Sequence, residues 1–284
     1  MAPFLGGCVG VGQLAEPVVY RLGREDRLVR AFVRINLGLG LLLALTRPAC
    51  LRRHQPALWD TLGRPRARVR SMHENGEQRF GAAAEAVEWD ARYSERNGVM
   101  WSGRPNGRLV AEVAGLTPGR ALDVGCGEGA DAIWLARRGW TVTAIDISHV
   151  ALCRARHAAE LAGAAVGWVR GDALQTPFPS RSFDLVSIQY PALPKAAGEP
   201  AVRTLLDTVH PGGLLLAVYH DLDNEHREHM KSQGVDPADY FGADDLGRLL
   251  GDDFTVELHA VEPRIDPPPD APHIADVVLR ARRR

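Results

Sequence analysis

Three acidic residues stand at intervals that suit one charged, ribose-bearing ligand. The first, Asp123, opens the loop Asp123-Val-Gly125-Cys126-Gly127-Glu-Gly129. Glycine is needed where the backbone turns with positive φ or approaches a ligand closely. The spacing is G-x-G-x-G, with Ala130 where a dinucleotide fingerprint would have its third glycine. That fingerprint seats a pyrophosphate on a helix N-terminus, and Asp123 would repel it. Asp123 suits an ammonium or a sulfonium instead. The second acid, Asp146, lies 21 residues after Gly125 in TAIDIS. That distance suits an acid accepting hydrogen bonds from ribose hydroxyls, two of which one carboxylate can take. A helix N-cap is the alternative, although Ser148 fills that place well. The third acid, Asp172 in RGDAL, can accept from an adenine amino group while Ala173 leaves room for the ring. A turn acid is the alternative. Cys126 reads as a small loop residue, because no neighbouring base would make it a nucleophile.

Groups for a reacting partner follow the fourth and fifth strands: Gln189, Tyr190, His220 and Asp221. Tyr190 is either catalytic or a neutral wall. His220 is either a general base or a loop histidine. His220, His226 and His229, with Asp221, Asp223 and Glu225, also suggest a metal, since His226 and His229 share a helix face at i, i+3. EHREHMK equally describes a solvated helix, and no metal is expected.

The elements that must position these residues alternate. Strands are expected at Ala121–Val124, Thr141–Ile145, Val166–Val169, Phe183–Ile188, Leu214–Tyr219, Phe254–Val261 and Ile274–Arg280. Helices are expected at Phe80–Tyr93, Gly107–Gly115, Ala130–Arg138, Val150–Ala162, Pro200–Val209 and Asp244–Leu250. This order predicts an α/β fold: a Rossmann-like, doubly wound, seven-stranded sheet, mostly parallel. The last two strands have no helix between them and should form an antiparallel edge pair. Their proline-rich connection, Pro263 to His273, either reaches over the pocket or is a stiff hairpin loop.

Charge divides the chain. Residues 1–70 hold 12 Arg and 4 acids, about +8, while the remainder is near −9. The apolar run Ile35–Leu45 has 11 residues, well short of the roughly 20 that span a bilayer. Residues 1–71 therefore read as a basic, disordered extension, or as sequence ahead of a natural start at Met72. A membrane-associating segment and a small functional domain are the alternatives. Residues 72–119 read as lid helices and 120–284 as the catalytic domain. Four cysteines without paired spacing fit a reducing cytoplasm.

Over about residues 79–284 the sequence resembles the class I S-adenosylmethionine-dependent methyltransferases. The resemblance rests on LDVGCGEG, TAIDIS, RGDAL, FDLVSIQYPAL and HPGGLLL in that family's order and spacing. It implies S-adenosylmethionine as cofactor, with Asp123 near the methionine amino end and Gly125, Cys126 and Gly127 along it. It also implies Asp146 and Ile147 at the ribose, Asp172 and Ala173 at the adenine, and Gln189 in the same set.

The flank Trp89–Val110 is similar to the tellurite-resistance and thiopurine methyltransferase group through Trp89, Arg92, Tyr93, Trp101, Ser102, Pro105 and Asn106. This implies a lid, with Trp101 over the sulfonium for about 0.5–2 kcal/mol and Arg92 on the methionine carboxylate. Surface packing is the alternative for both. That group methylates thiols and selenium or tellurium oxyanions, whereas other class I enzymes accept quinones, phenols or amines. A small-molecule acceptor is expected. Nucleic acid is not, because residues 71–284 are acidic and no NPPY- or DPPY-like tetrad follows the fourth strand. A Rossmann-type oxidoreductase using NAD(P) and a non-catalytic cofactor-binding protein are the competing readings.

Overall fold

The computed structural model describes residues 74–96, 98–267 and 273–284, with side chains from residue 83 onward. The expectations for residues 1–71 lie outside the described residues.

Seven strands form one sheet: β1 (Arg120–Val124), β2 (Thr141–Asp146), β3 (Val166–Arg170), β4 (Phe183–Gln189), β5 (Val209–His220), β6 (Phe254–Pro263) and β7 (Ala275–Arg283). Their order is β3-β2-β1-β4-β5-β7-β6. β1 to β5 are parallel, and β7 runs antiparallel to both β5 and β6. The helices are α1 (Glu74–Glu95), α2 (Gly107–Val113), α3 (Ala130–Arg137), α4 (His149–Ala162), α5 (Glu199–Leu206), α6 (Asn224–Ser232) and α7 (Ala243–Leu249). This is the Rossmann-like α/β arrangement that the alternating pattern predicts.

Parallel strands are covered on both faces, so they read as continuous apolar runs. In β5, Leu215 and Ala217 join one core with Val202, Leu205 and Leu206 of α5 and Leu246 and Leu249 of α7. Leu214, Leu216 and Val218 join the other with Leu109 and Val113 of α2 and Ala132 and Leu135 of α3. Each of these Leu and Val side chains, fully buried, contributes about 1.5–3 kcal/mol. The sheet is wound outward from β1 in one direction and from β4 in the other. The crevice at their carboxyl ends is where open α/β sheets bind ligands.

Two boundaries differ from expectation. α5 ends at Leu206, and β5 begins at Val209 rather than Leu214. His210-Pro-Gly-Gly reads as a turn, but it forms a bulge inside the strand. Gly212 has φ +81°, and a Cβ on Gly213 would lie 2.9 Å from the Phe183 carbonyl oxygen. The register with β4 shifts there, between Phe183 and Leu185. As expected, β6 and β7 form an antiparallel pair at one edge, with β6 outermost. EHREHMK is helical in α6, as both of its readings require, and is capped where the Asp223 side chain accepts from the His226 N–H. No described helix is long and apolar enough to cross a membrane.

Candidate active site

A cavity of about 480 Å³ opens at the carboxyl ends of β1, β2 and β4. At its centre is the glycine loop. The N–H groups of Gly125 and Cys126 both donate to the Ile145 carbonyl, at 2.9 and 3.0 Å, tying the loop to β2. Gly129 begins α3 with φ +83°, and a Cβ there would meet Trp168 at 2.7 Å and Ala155 at 2.9 Å. Only glycine lets α3 start so close to β3 and α4.

Among the carboxylates that line this cavity, three cluster around the glycine loop. Asp123, at the end of β1, is 2% exposed, and its Oδ2 has no hydrogen-bond partner. Burial, then the charges of Asp131 and Asp146, push its carboxyl well above the usual range. Asp131 accepts from the Asn106 N–H at 2.6 Å, and burial pushes its pKa up to about 6. Asp146 is also raised by burial, against the bonds it accepts from the N–H groups of Ser148 and Gly127, both 2.8 Å. Ser148 caps α4, its hydroxyl accepting from the Ala151 N–H, so the N-cap reading of Asp146 is excluded. A buried, unpartnered carboxylate costs several kcal/mol. A cationic ligand would relieve that cost, so these residues fit the ammonium end of S-adenosylmethionine.

The other expected residues distribute around the same cavity. Ile147, Asp172 and Ala173 line it beyond Asp146. Asp172 Oδ1 accepts from the Leu174 N–H at 2.8 Å, as the turn reading has it. Cys126 lines it as well, with a thiol pushed well up by burial and then by Asp123 and Asp146. It is no nucleophile at neutral pH. Gln189 donates to Ser187 Oγ at 3.1 Å and leaves its own Oε1 buried without a partner.

The far wall is built on Tyr190 and His220. Tyr190 has φ +49°, held by its N–H donating to the Val218 carbonyl at 2.8 Å. Its hydroxyl donates to Asp276, with both carboxylate oxygens at 3.0 Å. Burial, then the charge of Asp276, raises its pKa further. The phenol expected either to react or to serve as a neutral wall is thus engaged by Asp276 of β7. His220 stacks on Tyr190 at 4.1 Å, and its buried Nδ1 lies 3.8 Å from Asp276 Oδ1 with no hydrogen bond.

The aromatic flank closes one side. Trp101 is 55% exposed, and its Nε1 donates to the Tyr93 hydroxyl at 3.1 Å. A Cβ on Gly127 would touch both residues. Glu128 holds this flank: its carboxylate accepts from the Met100 N–H at 2.8 Å and the Trp101 N–H at 3.2 Å. Arg92 is a correction. It pairs with Glu88 one turn back at 2.5 Å, lies over Trp89, and does not line the cavity. Its helical phase carries it to the outside of α1. The proline-rich connection begins over the pocket, since Arg264, Ile265 and Asp266 line it. Asp266 pairs there with Arg104 at 2.7 Å.

Glu85, Glu128, Asp131, Arg264 and Asp276 escaped the sequence reading. Glu128 and Asp131 sit within four residues of the loop glycines and were the most accessible signals. His226 is engaged by Asp223 at 2.7 Å and stands beside His273. Among the described residues, no group of three or more His, Cys, Asp or Glu is placed to hold a metal ion.

Comparison with known proteins agrees with this geometry. Residues 121–213 match the family described as a methyltransferase domain. The chain is similar to a demethylmenaquinone methyltransferase of Thermus thermophilus, 36% identical over 103 residues, covering 36% of this chain and 47% of that protein. It is also similar to a fatty-acid O-methyltransferase of Mycolicibacterium smegmatis, 44% identical over 71 residues, 24% of each chain. The chain therefore spans about a quarter to a half of the length of these curated relatives. A solved structure described as "Conversion of a Disulfide Bond into a Thioacetal Group during Echinomycin Biosynthesis" is 25% identical, with TM-score 0.57 over 70% of this chain and 92% of that one. Residues 121–213 thus match a methyltransferase domain and lie on a Rossmann-like sheet.

Proposed function

We propose that the protein transfers a methyl group from S-adenosylmethionine to a small-molecule acceptor whose nucleophile is a thiol or another chalcogen. The observation that carries this reading is Asp123 Oδ2, buried and unpartnered in a cavity that Asp131 and Asp146 make still more negative. Asp123 and Asp131 hold the ammonium end. Gly125, Cys126 and Gly127 lie along the cofactor, Asp146 and Ile147 take the ribose, and Asp172 and Ala173 flank the adenine. Gln189 offers its Oε1 as a further acceptor. Trp101 covers the sulfonium as part of a lid formed by α1, the loop after it and α2. When bound, the cofactor supplies a methyl group on a positively charged sulfur. The remaining task of the protein is to position an acceptor in line and to exclude water.

Tyr190 and His220 face that acceptor. Burial raises both Tyr190 and Cys126 and keeps them protonated, so neither offers an ionised base. A thiol asks least of a base, because its own pKa lies near 8.5. The solved relative that converts a disulfide into a thioacetal supports sulfur as the reacting atom. The test is a coupled assay for S-adenosylhomocysteine release with thiols, selenite, phenols, amines and quinols. Turnover with thiols or selenite is expected. Turnover confined to quinols, phenols or amines would exclude the chalcogen acceptor. Binding of NADH with no binding of S-adenosylhomocysteine would exclude methyl transfer itself.

A further inference from the structure

Asp276 is a buried carboxylate in β7, 1% exposed. Burying a charge costs several kcal/mol unless it is paired. Both its oxygens accept from the Tyr190 hydroxyl, and among the described residues its one cation-forming neighbour is His220, with Nδ1 3.8 Å away. His220 lines the cavity and is clamped between Tyr190 at 4.1 Å and His273 at 4.6 Å. Beyond these stand Arg264, 5.2 Å over the Tyr190 ring, and His226, which Asp223 engages. The His220 ring is therefore fixed in plane, and its Nδ1 has one carboxylate to face.

Resting on the methyl-transfer reading, we infer that Asp276 is the positioning residue of an acid–base unit in which His220 accepts the acceptor's proton. A carboxylate accepts only, so Asp276 selects the tautomer with the proton on Nδ1 and leaves the Nε2 lone pair for the acceptor. Distances of this kind tighten when the reacting partners are bound. In the step, the electron pair of the acceptor's X–H bond becomes the X–methyl bond. The methyl–sulfur pair stays on sulfur and neutralises it, and Nε2 takes the proton, which later passes to solvent.

Tyr190 makes the test sharp. Its hydroxyl needs an acceptor, so the amide introduced by Asp276→Asn must give its oxygen to Tyr190 and turn its NH2 toward His220. That donor forces the proton onto Nε2. Nitrogen-15 NMR of the full chain should show His220 protonated on Nδ1 in the wild type and on Nε2 in Asp276→Asn. The kcat should fall by roughly 100-fold with little change in KM. Adding Tyr190→Phe frees the amide to flip, so the double variant should regain the Nδ1 tautomer and part of the lost kcat. An unchanged tautomer in Asp276→Asn overturns the inference, and so does a double variant no better than the single one. The tautomer is read without any acceptor. Its failure overturns this inference alone, whereas lack of turnover with every acceptor overturns the function proposed above.

Discussion

Glu128 and Arg154 form a 2.8 Å ion pair that ties the glycine loop to the aromatic flank. Glu128 also takes the N–H groups of Met100 and Trp101, while Arg154 donates to the carbonyls of Tyr93 and Arg96 at 2.8 and 2.9 Å. Glu128 is largely buried, so its removal strands several donors at once. Glu128→Ala is expected to cost about 2 kcal/mol of stability and to weaken cofactor binding. Chemical denaturation and calorimetry with S-adenosylhomocysteine measure the two effects, and unchanged values in both would refute the clamp.

Asp146 carries a double duty, since its oxygens already hold the N–H groups of Gly127 and Ser148. Asp146→Ala should weaken S-adenosylhomocysteine binding by about 1–3 kcal/mol through lost charge-assisted hydrogen bonds. It should also loosen the glycine loop, visible as faster amide exchange at Gly127. Full-strength binding would count against its place at the ribose.

The pH dependence has two opposed signs. Burial raises Asp131 to about 6, against 3.8 for an ordinary carboxyl, and Asp123 shifts the same way. Between those values the folded protein binds more protons than the unfolded chain. Stability of the free protein should therefore fall as pH rises from about 4 to about 6. Affinity for an ammonium-bearing ligand should rise over the upper part of that window, as the carboxylates ionise. Asp131→Asn should flatten both curves, measured by urea denaturation and by titration calorimetry.

Gly107 is pressed so closely against the Ile265 backbone carbonyl that a Cβ there would overlap it. Gly107→Ala should push the 264–266 segment off α2 at a cost of about 1–3 kcal/mol. A lowered Tm with a raised acceptor KM is the expected outcome. An unchanged Tm would mean that the segment moves freely.

The parallel strands and the glycine loop were legible because burial on both faces writes itself as short apolar runs, and because Asp123, Asp146 and Asp172 stand at or just beyond the carboxyl ends of three of them. The bulge at His210–Gly213 was not, since Pro-Gly-Gly carries the same signal in a turn and in a bent strand. Arg92 misled because a sequence motif gives no rotation about a helix axis. Asp276 was invisible for another reason. An acid at the start of a terminal apolar run looks like a solvent-facing residue until the antiparallel pairing sets His220 beside it.

The placement of β7 has a consequence for assembly. β6 is reached first along the chain, yet it touches no strand but β7. Without Ala275–Arg283, β5 has an open edge, β6 has no partner strand, and the hydroxyl of Tyr190 loses Asp276. Completion of the sheet and of the reactive wall therefore depends on the same strand, and a chain interrupted before β7 would lack the Asp276 side of the pocket.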